Sequence, residues 1–438
     1  MTSTPASNAD VNNALDEAKV RYASANPESR KVHETALKVL PGGNTRSAIF
    51  YDPYPIAFER GQDVRLWDAD GHEYCDFVCE MTAGIYGHSN PVIREAVTRR
   101  LDLGWSLGGH SSLEAELARI FSDRFPSMER VRFVNSGTEA TTFSVQLARA
   151  VTNRPAVLGF DGGYHGGFLA FATKPNPMNV PFEMITGIYN DMEGSAALID
   201  RNASRLACVI LEPMMGGGRC IPATREFLSM LREKTRQHGI LLIFDEVMTS
   251  RLSPGGIQTL TGVIPDLTSL GKYIGGGFSA GAFGGPAEIM DRLDPRRSDA
   301  LGHSGTFNNN VFTLSAGIAG FKRLYTPDAA DKLNARGEAL RRRLNQAIED
   351  AGVAMQFTGY GSMMSAHMRS GTIRSPGDAA HANPRLRELF YFDMLAQGFY
   401  VSPMRAFVNL ALPHSDADCE ALVTAVKEFI SSRRSLLT

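Results

Sequence analysis

Several things are scarce in this sequence, and each scarcity narrows what it can be. Its 438 residues carry two tryptophans and five cysteines, and 45 Lys plus Arg nearly balance 47 Asp plus Glu. A formal charge of −2 offers no strongly basic face for nucleic acid or an anionic membrane. Cys75, Cys79, Cys208, Cys220 and Cys419 are odd in number and form no C-x-x-C pair. The Cys75/Cys79 step could mimic half a metal site, but no His/Cys cluster answers it. The expectation is therefore no metal, and reduced, buried thiols in a cytoplasmic protein. No stretch approaches the ~20 apolar residues of a membrane span; the longest, GILLIF, has strand length. The first twenty residues have neither a basic start nor an apolar run, so no signal peptide is expected. Disorder is expected for the first ten.

What is present is the texture of a large α/β protein. Residues 11–40 have a helical pattern that Pro41-Gly42-Gly43 ends. The stretch PIAFERGQDVRLWDADGHEYCDFV alternates like a small antiparallel meander. Beyond residue 90, apolar runs (RVRFV, AVLGF, ACVIL, ILLIF, LTSL, GAFG) alternate with amphipathic segments such as TREFLSMLREKTRQHG. Continuous apolar strands between such helices argue for a mostly parallel sheet covered on both faces. A long helical pattern follows, and the last ~90 residues mix short strands (MQFTG, SMMSAHM, FVNLAL) with helices. The expected organisation is 1–89 (N-terminal helices and meander, part of a small domain), 90–330 (large α/β domain) and 331–438 (α+β, completing the small domain).

Open α/β sheets gather function at the carboxyl ends of their strands. Directly after the expected strands come Asn135-Ser136-Gly137-Thr138-Glu139, then Asp161 through Gly167 with Tyr164 and His165, then Glu212-Pro213, Asp245-Glu246, and Gly271-Lys272. A hydroxyl-flanked glycine at a helix start can hold an anion on free N–H groups. Equally, Ser136 with Glu139 reads as a plain capping box. Asp245 ends an apolar strand and calls for a cationic partner, or else caps a helix. Lys272 reads as a snorkelling surface lysine, an ion-pair partner of Asp245, or a nucleophile whose burial eases loss of its proton. The glycines follow Lys272 in GKYIGGG, so the stretch is neither a Walker A loop nor a dinucleotide fingerprint. Together, a phosphate cradle, a stacking aromatic, a buried carboxylate and an amine are the four contacts that pyridoxal phosphate requires.

The ordered set NSGTEA, GGYHG, EPMMGGG, FDEVMTSR, SLGKYIGGG and GTFNNN resembles the class III (ω-type) aminotransferases of fold type I, from about Pro41 to the C-terminus. That resemblance implies a large, mostly parallel sheet domain of the seven-stranded type with a smaller α+β domain, and pyridoxal 5'-phosphate as cofactor. It implies Lys272 as the Schiff-base lysine and Asp245 as partner of the pyridinium nitrogen. Ser136, Gly137 and Thr138 would hold the phosphate, and Tyr164 would stack on the ring with His165 beside it. It also implies a homodimer in which Thr306 reaches the neighbour's phosphate; on its own, Thr306 reads only as a helix-start residue. The glycines after Lys272 would let the backbone pass close to the cofactor and leave room for its ring.

For the substrate, PGGNTRS and Met248 in DEVMT resemble both the glutamate-1-semialdehyde aminomutases and the β-amino-acid (β-phenylalanine) aminotransferases. Arg46, after its Pro-Gly-Gly break, and Arg405 in SPMRAF could each grip a carboxylate through paired N–H donors. Two arginines suit a β-amino acid donor with a dicarboxylate acceptor such as 2-oxoglutarate, exchanged in a ping-pong cycle. Glu80, with Met81 and Tyr86, could line the pocket, although packing explains them too. Met81 stands where an aromatic wall is expected in the β-amino-acid subgroup, which weakens an aryl preference. Glu212 near the substrate or in a structural role remains open. The alternatives are an aminomutase, a broader ω-amino acid or amine transaminase, a decarboxylase or epimerase on the same scaffold, and a protein that keeps the fold without the chemistry.

Overall fold

The structure, a computed structural model, describes residues 8–172 and 176–437. Seven strands make the central sheet: β1 (Arg130–Val134), β2 (Ala156–Phe160), β3 (Glu183–Gly187), β4 (Leu206–Leu211), β5 (Leu241–Asp245), β6 (Leu267–Gly271) and β7 (Gly281–Gly285). Their spatial order is β1-β7-β6-β5-β4-β2-β3. Neighbours run parallel except at β7, which is antiparallel to both β6 and β1.

Side-chain alternation sorts the sheet into two packed faces. On one, Leu242 and Phe244 join Leu158, Val209 and Phe227 of the helix Arg225–His238. On the other, Ile243 joins Val157, Ile210 and Ala148 of the helix Gly137–Thr152. Period two then puts Asp245 on the Ile243 face, beside the start of the helix 137–152. β2 and β4 are buried throughout, which is why they read as continuous apolar runs. β3, an edge strand with Glu183 and Thr186 exposed, lacks that signature and escapes sequence reasoning.

Smaller sheets flank this core. Phe58–Gln62, Arg65–Asp68 and Glu73–Asp76 form the expected meander. Its fourth strand, Phe399–Tyr400, arrives from the other end of the chain and runs parallel to Cys75–Asp76. Gln356–Tyr360, Met363–His367 and Phe407–Asn409 form a separate three-stranded sheet.

Three expectations need correction. The helical pattern over 11–40 is two helices, Asn8–Ala25 and Pro27–Leu37, because Pro27 cannot continue the first one and starts the second instead. Expected disorder over the first ten residues falls on 1–7, outside the described residues, and on 8–10, which are helical. The last strand of the meander, whose sequence pattern runs on through Phe77 and Val78, ends at Asp76, since the Asp76 carboxylate turns the chain by accepting N–H bonds from Val78 and Cys79.

Among the described residues no helix is long and apolar enough to cross a membrane. None of their His, Cys, Asp and Glu side chains form a group of three or more suited to a metal. All five cysteines are free and buried.

Of the glycines after Lys272, Gly275 and Gly276 serve packing. Gly276 has φ +67°, and a Cβ there would lie 2.6 Å from the backbone carbon of Ala316 in the helix Val311–Ala319. Gly276→Ala should therefore destabilise the protein by roughly 2–5 kcal/mol, combining left-handed strain with overpacking. Chemical denaturation measures this; a midpoint within error of wild type would contradict the packing role.

Candidate active site

The ends of β1, β2, β4, β5 and β6 open onto one cavity of about 650 Å³. Gly137, Thr138, Tyr164, His165, Glu212, Asp245 and Lys272 line it, together with Arg46 and Arg405 from outside the sheet. Nine residues spread over 360 positions thus meet where strand topology directs them.

Four ionisable groups sit at its floor. Asp245 is buried, and its carboxylate meets His165 Nδ1 at 2.8 Å and accepts the Val247 N–H at 3.1 Å. Its partner is therefore a buried histidine and a backbone amide, neither the helix cap nor the core arginine that the strand end alone allowed. Glu212 accepts N–H bonds from Tyr164 at 3.2 Å and Gly216 at 2.9 Å. Burial first, and the Asp245 charge second, push its carboxyl above the usual range. Lys272 opens the short 3-10 turn after β6 with φ +57°. Burial pulls its ammonium below the ordinary lysine value, against Asp245 and Glu212, which pull it back up, while the Arg405 charge adds to the lowering. Glu246 points away from the cavity. It is fully buried and accepts the Ile257 N–H at 2.8 Å, a structural task.

At the start of the helix Gly137–Thr152, Ser136 is the N-cap, and its Oγ accepts the Glu139 N–H at 3.2 Å. Glu139 does not complete a capping box; its carboxylate takes the Asn135 N–H at 3.0 Å. The first N–H groups of an α-helix have no intrahelical acceptor, so those of Gly137 and Thr138 face the cavity as donors. Ser136 itself is not among the lining residues. Gly166, φ +101°, passes so close that a Cβ would stand 2.6 Å from Thr138 Cα, which holds the Tyr164–His165 loop against this helix start. The glycines facing the cavity are Gly137, Gly166 and Gly217, not those following Lys272, contrary to the sequence expectation.

The rim is less regular. Arg46 Nη1 donates to Glu80 Oε1 at 2.7 Å, and both side chains are about half exposed. Glu80 belongs to a turn in which Cys79, Glu80, Met81 and Thr82 all have positive φ, at 50°, 48°, 52° and 80°. Each such non-glycine residue costs roughly 1–2 kcal/mol. Asp76 clamps the entry to this turn, and Arg251, fully buried, donates to the Thr82 carbonyl at 3.1 Å at its exit. The result directs Met81 into the cavity wall. The Arg405 guanidinium lies 6.0 Å from the Tyr164 ring centroid. Tyr86 is fully buried outside this cavity, packed at Gly320. Thr306 is exposed in a turn that Asn308 ties to Asn135 at 3.0 Å, and it does not line the cavity of its own chain.

Sequence reasoning missed Ser47, Ala48, Ile49, Asn176, Gly217 and Val247, all of which line the cavity. A signal existed for 47–49, the residues directly after Arg46, and for Val247, two beyond Asp245. Gly217 lies in the EPMMGGG motif, two residues beyond Met215, whereas Asn176 carries no signal.

The cavity fits pyridoxal phosphate: N–H donors at a helix start, an exposed aromatic face, a buried carboxylate and an amine with lowered basicity. Comparison with known proteins agrees. The model of the family "Aminotransferase class-III" matches residues 47–428. A β-phenylalanine transaminase from Variovorax paradoxus is 49% identical over 98% of each chain. The crystal structure of the β-phenylalanine aminotransferase from that organism superposes with a TM-score of 0.96, covering 98% of this chain and 99% of that one. A glutamate-1-semialdehyde 2,1-aminomutase from Desulforamulus reducens is 36% identical over 91% of this chain and 96% of its own. A transaminase structure with bound PLP, 31% identical, gives a TM-score of 0.86 over 94% of this chain and 98% of that one. Carrying these motifs on this fold, the chain belongs to the class-III aminotransferases and is a pyridoxal-phosphate-dependent transaminase.

Proposed function

We propose that this transaminase moves the amino group of a β-amino acid of the β-phenylalanine type to a keto acid such as 2-oxoglutarate, in a ping-pong cycle within a homodimer. The observation that carries this reading is the pair of arginines, Arg46 and Arg405, lining the same cavity as Lys272. The 49% identity to a β-phenylalanine transaminase supports it.

In this reading Lys272 holds the cofactor aldehyde, and once freed by the donor it carries the proton from the carbon bearing the amine. Its lowered basicity suits that task, because burial leaves more of the amine free of its proton and able to accept one. Bound pyridoxal phosphate supplies an electron sink for the charge left on that carbon. Asp245, held by His165, would pair with the ring nitrogen, and Tyr164 would cover one face of the ring. The amides of Gly137 and Thr138, with the Thr138 and Ser136 hydroxyls, take the phosphate, and Thr306 reaches the phosphate site of a second copy. Arg46 and Arg405 each take a substrate carboxylate, which orients a β-amino acid in one half-reaction and a dicarboxylate in the other. The division into 1–89, 90–330 and 331–438 belongs to the same proposal.

Lys272→Ala should cut turnover by at least ~10⁴-fold, the scale on which a lost catalytic group acts, and remove the cofactor absorbance band of the purified enzyme. Donor without acceptor should stop after one turnover per site; continued turnover would point to a decarboxylase or epimerase. A donor panel with 2-oxoglutarate (β-phenylalanine, β-alanine, 1-phenylethylamine, glutamate semialdehyde) separates the substrate classes. Turnover of the semialdehyde with no acceptor would favour an aminomutase.

Arg46→Ala and Arg405→Ala should each raise KM for carboxylate substrates by about 10- to 100-fold, the worth of a charged hydrogen-bonded contact. KM for 1-phenylethylamine, which has no carboxylate, should stay put. Equal activity on that amine and on β-phenylalanine in the wild type would overturn the two-arginine reading.

The Lys272 shift has a sign that can be checked. A lysine depressed below its usual 10.5 is neutral at lower pH. Cofactor uptake by apoenzyme, followed by absorbance, should speed up with rising pH and level off below pH 10.5. A rate still climbing past that value would contradict the shift.

A further inference from the structure

Arg46 is the one rim arginine with an anion already on it. Its partner, Glu80, is not a lining residue of the Lys272 cavity; it borders a neighbouring cavity of about 670 Å³ that runs to Gly276 and Phe278. Glu80 therefore reaches toward the substrate site from behind. The backbone that delivers it is the left-handed turn Cys79–Thr82, which no glycine relaxes. That turn is fixed independently of Arg46 by the Asp76 carboxylate, by the Gly84 N–H on the Cys79 carbonyl at 2.8 Å, and by buried Arg251. A strained, well-anchored turn at a site is a device for aiming side chains. Here it aims Met81 into the cavity wall and sets Glu80 against Arg46.

We propose that Glu80 determines specificity as a tethered stand-in for the substrate carboxylate: it occupies Arg46 in the resting enzyme, and a carboxylate substrate must displace it. The proposal rests on Arg46 being a carboxylate site and reassigns Glu80 from direct substrate contact to competition for that site. A bare guanidinium at a wet rim accepts any small anion. One held by its own carboxylate releases only to a ligand that replaces the charge and also gains contacts deeper in the cavity. An amine without a carboxylate leaves the pair closed. Because both partners are half exposed, the competition is mild, on the scale of an exposed ion pair. It thus grades ligands without blocking turnover.

The test uses holoenzyme and two readouts. Calorimetric titration with 3-phenylpropanoate, a carboxylate without the reacting amine, gives a Kd, and steady-state kinetics with β-phenylalanine separates KM from kcat. Glu80→Gln keeps side-chain length and backbone preference while removing the charge. It should tighten 3-phenylpropanoate by about two- to fivefold, the worth of an exposed pair, and lower KM for β-phenylalanine by the same factor, with KM and not kcat carrying the change. In an Arg46→Ala background the same substitution should do nothing. Weaker binding after Glu80→Gln in either background would make Glu80 a direct substrate contact and overturn the proposal. So would an unchanged Kd in the presence of Arg46. If Arg46→Ala alone leaves the Kd unchanged, the carboxylate role of Arg46 falls first, a result separable from failure of the Glu80 substitution.

Discussion

Charge confined in a poorly solvated pocket is the constraint that orders the rest of this molecule. Asp245, Glu212, His165 and Lys272 converge at the ends of buried strands, and none can be altered without changing what its neighbours feel. Glu212 is harder to ionise because Asp245 is near, and Lys272 keeps part of its basicity because both acids are. Such a group is tolerated only where every remaining lone pair and proton has a partner. The supply of partners explains much of the local structure: the Tyr164 and Gly216 amides on Glu212, and the Val247 amide and His165 ring on Asp245.

Much of this was legible in the sequence because it follows from strand periodicity. A strand-like run that stops at a polar residue or a glycine marks the carboxyl end of a strand, and five such ends led to Ser136 to Thr138, Tyr164, Glu212, Asp245 and Lys272. The sheet's two-sided burial made β2, β4 and β5 readable, and the lack of it hid β3. The four strand-end contacts together pointed to pyridoxal phosphate, whereas resemblance alone brought in Thr306.

Other features were illegible for physical reasons. Four successive left-handed residues at 79–82 contain no glycine to advertise them; the Asp76 carboxylate just before the turn and the distant, buried Arg251 impose that conformation against local preference. The glycine run after Lys272 looked like space for a ring, yet in three dimensions Gly276 presses on a helix while Gly137, Gly166 and Gly217 face the cavity. The pairing of Phe399–Tyr400 with Cys75–Asp76 could not be read either, since nothing in a two-residue strand names a partner more than 300 positions away.

That pairing carries a consequence for how the enzyme matures on the ribosome. All seven strands of the central sheet lie between residues 130 and 285, so the pocket floor can assemble from a contiguous stretch of nascent chain. Arg46 and Arg405 become neighbours only after the last tenth of the chain has emerged and Phe399–Tyr400 has closed onto the meander. Closing so long a loop is entropically slow, and it rewards the chain only on completion. The pocket floor around Lys272 and Asp245 is thus local and early, and the two arginines proposed to take substrate carboxylates come together late, through non-local pairing. A chain stalled before Phe399–Tyr400 has emerged would carry the strand ends of the pocket floor without Arg405.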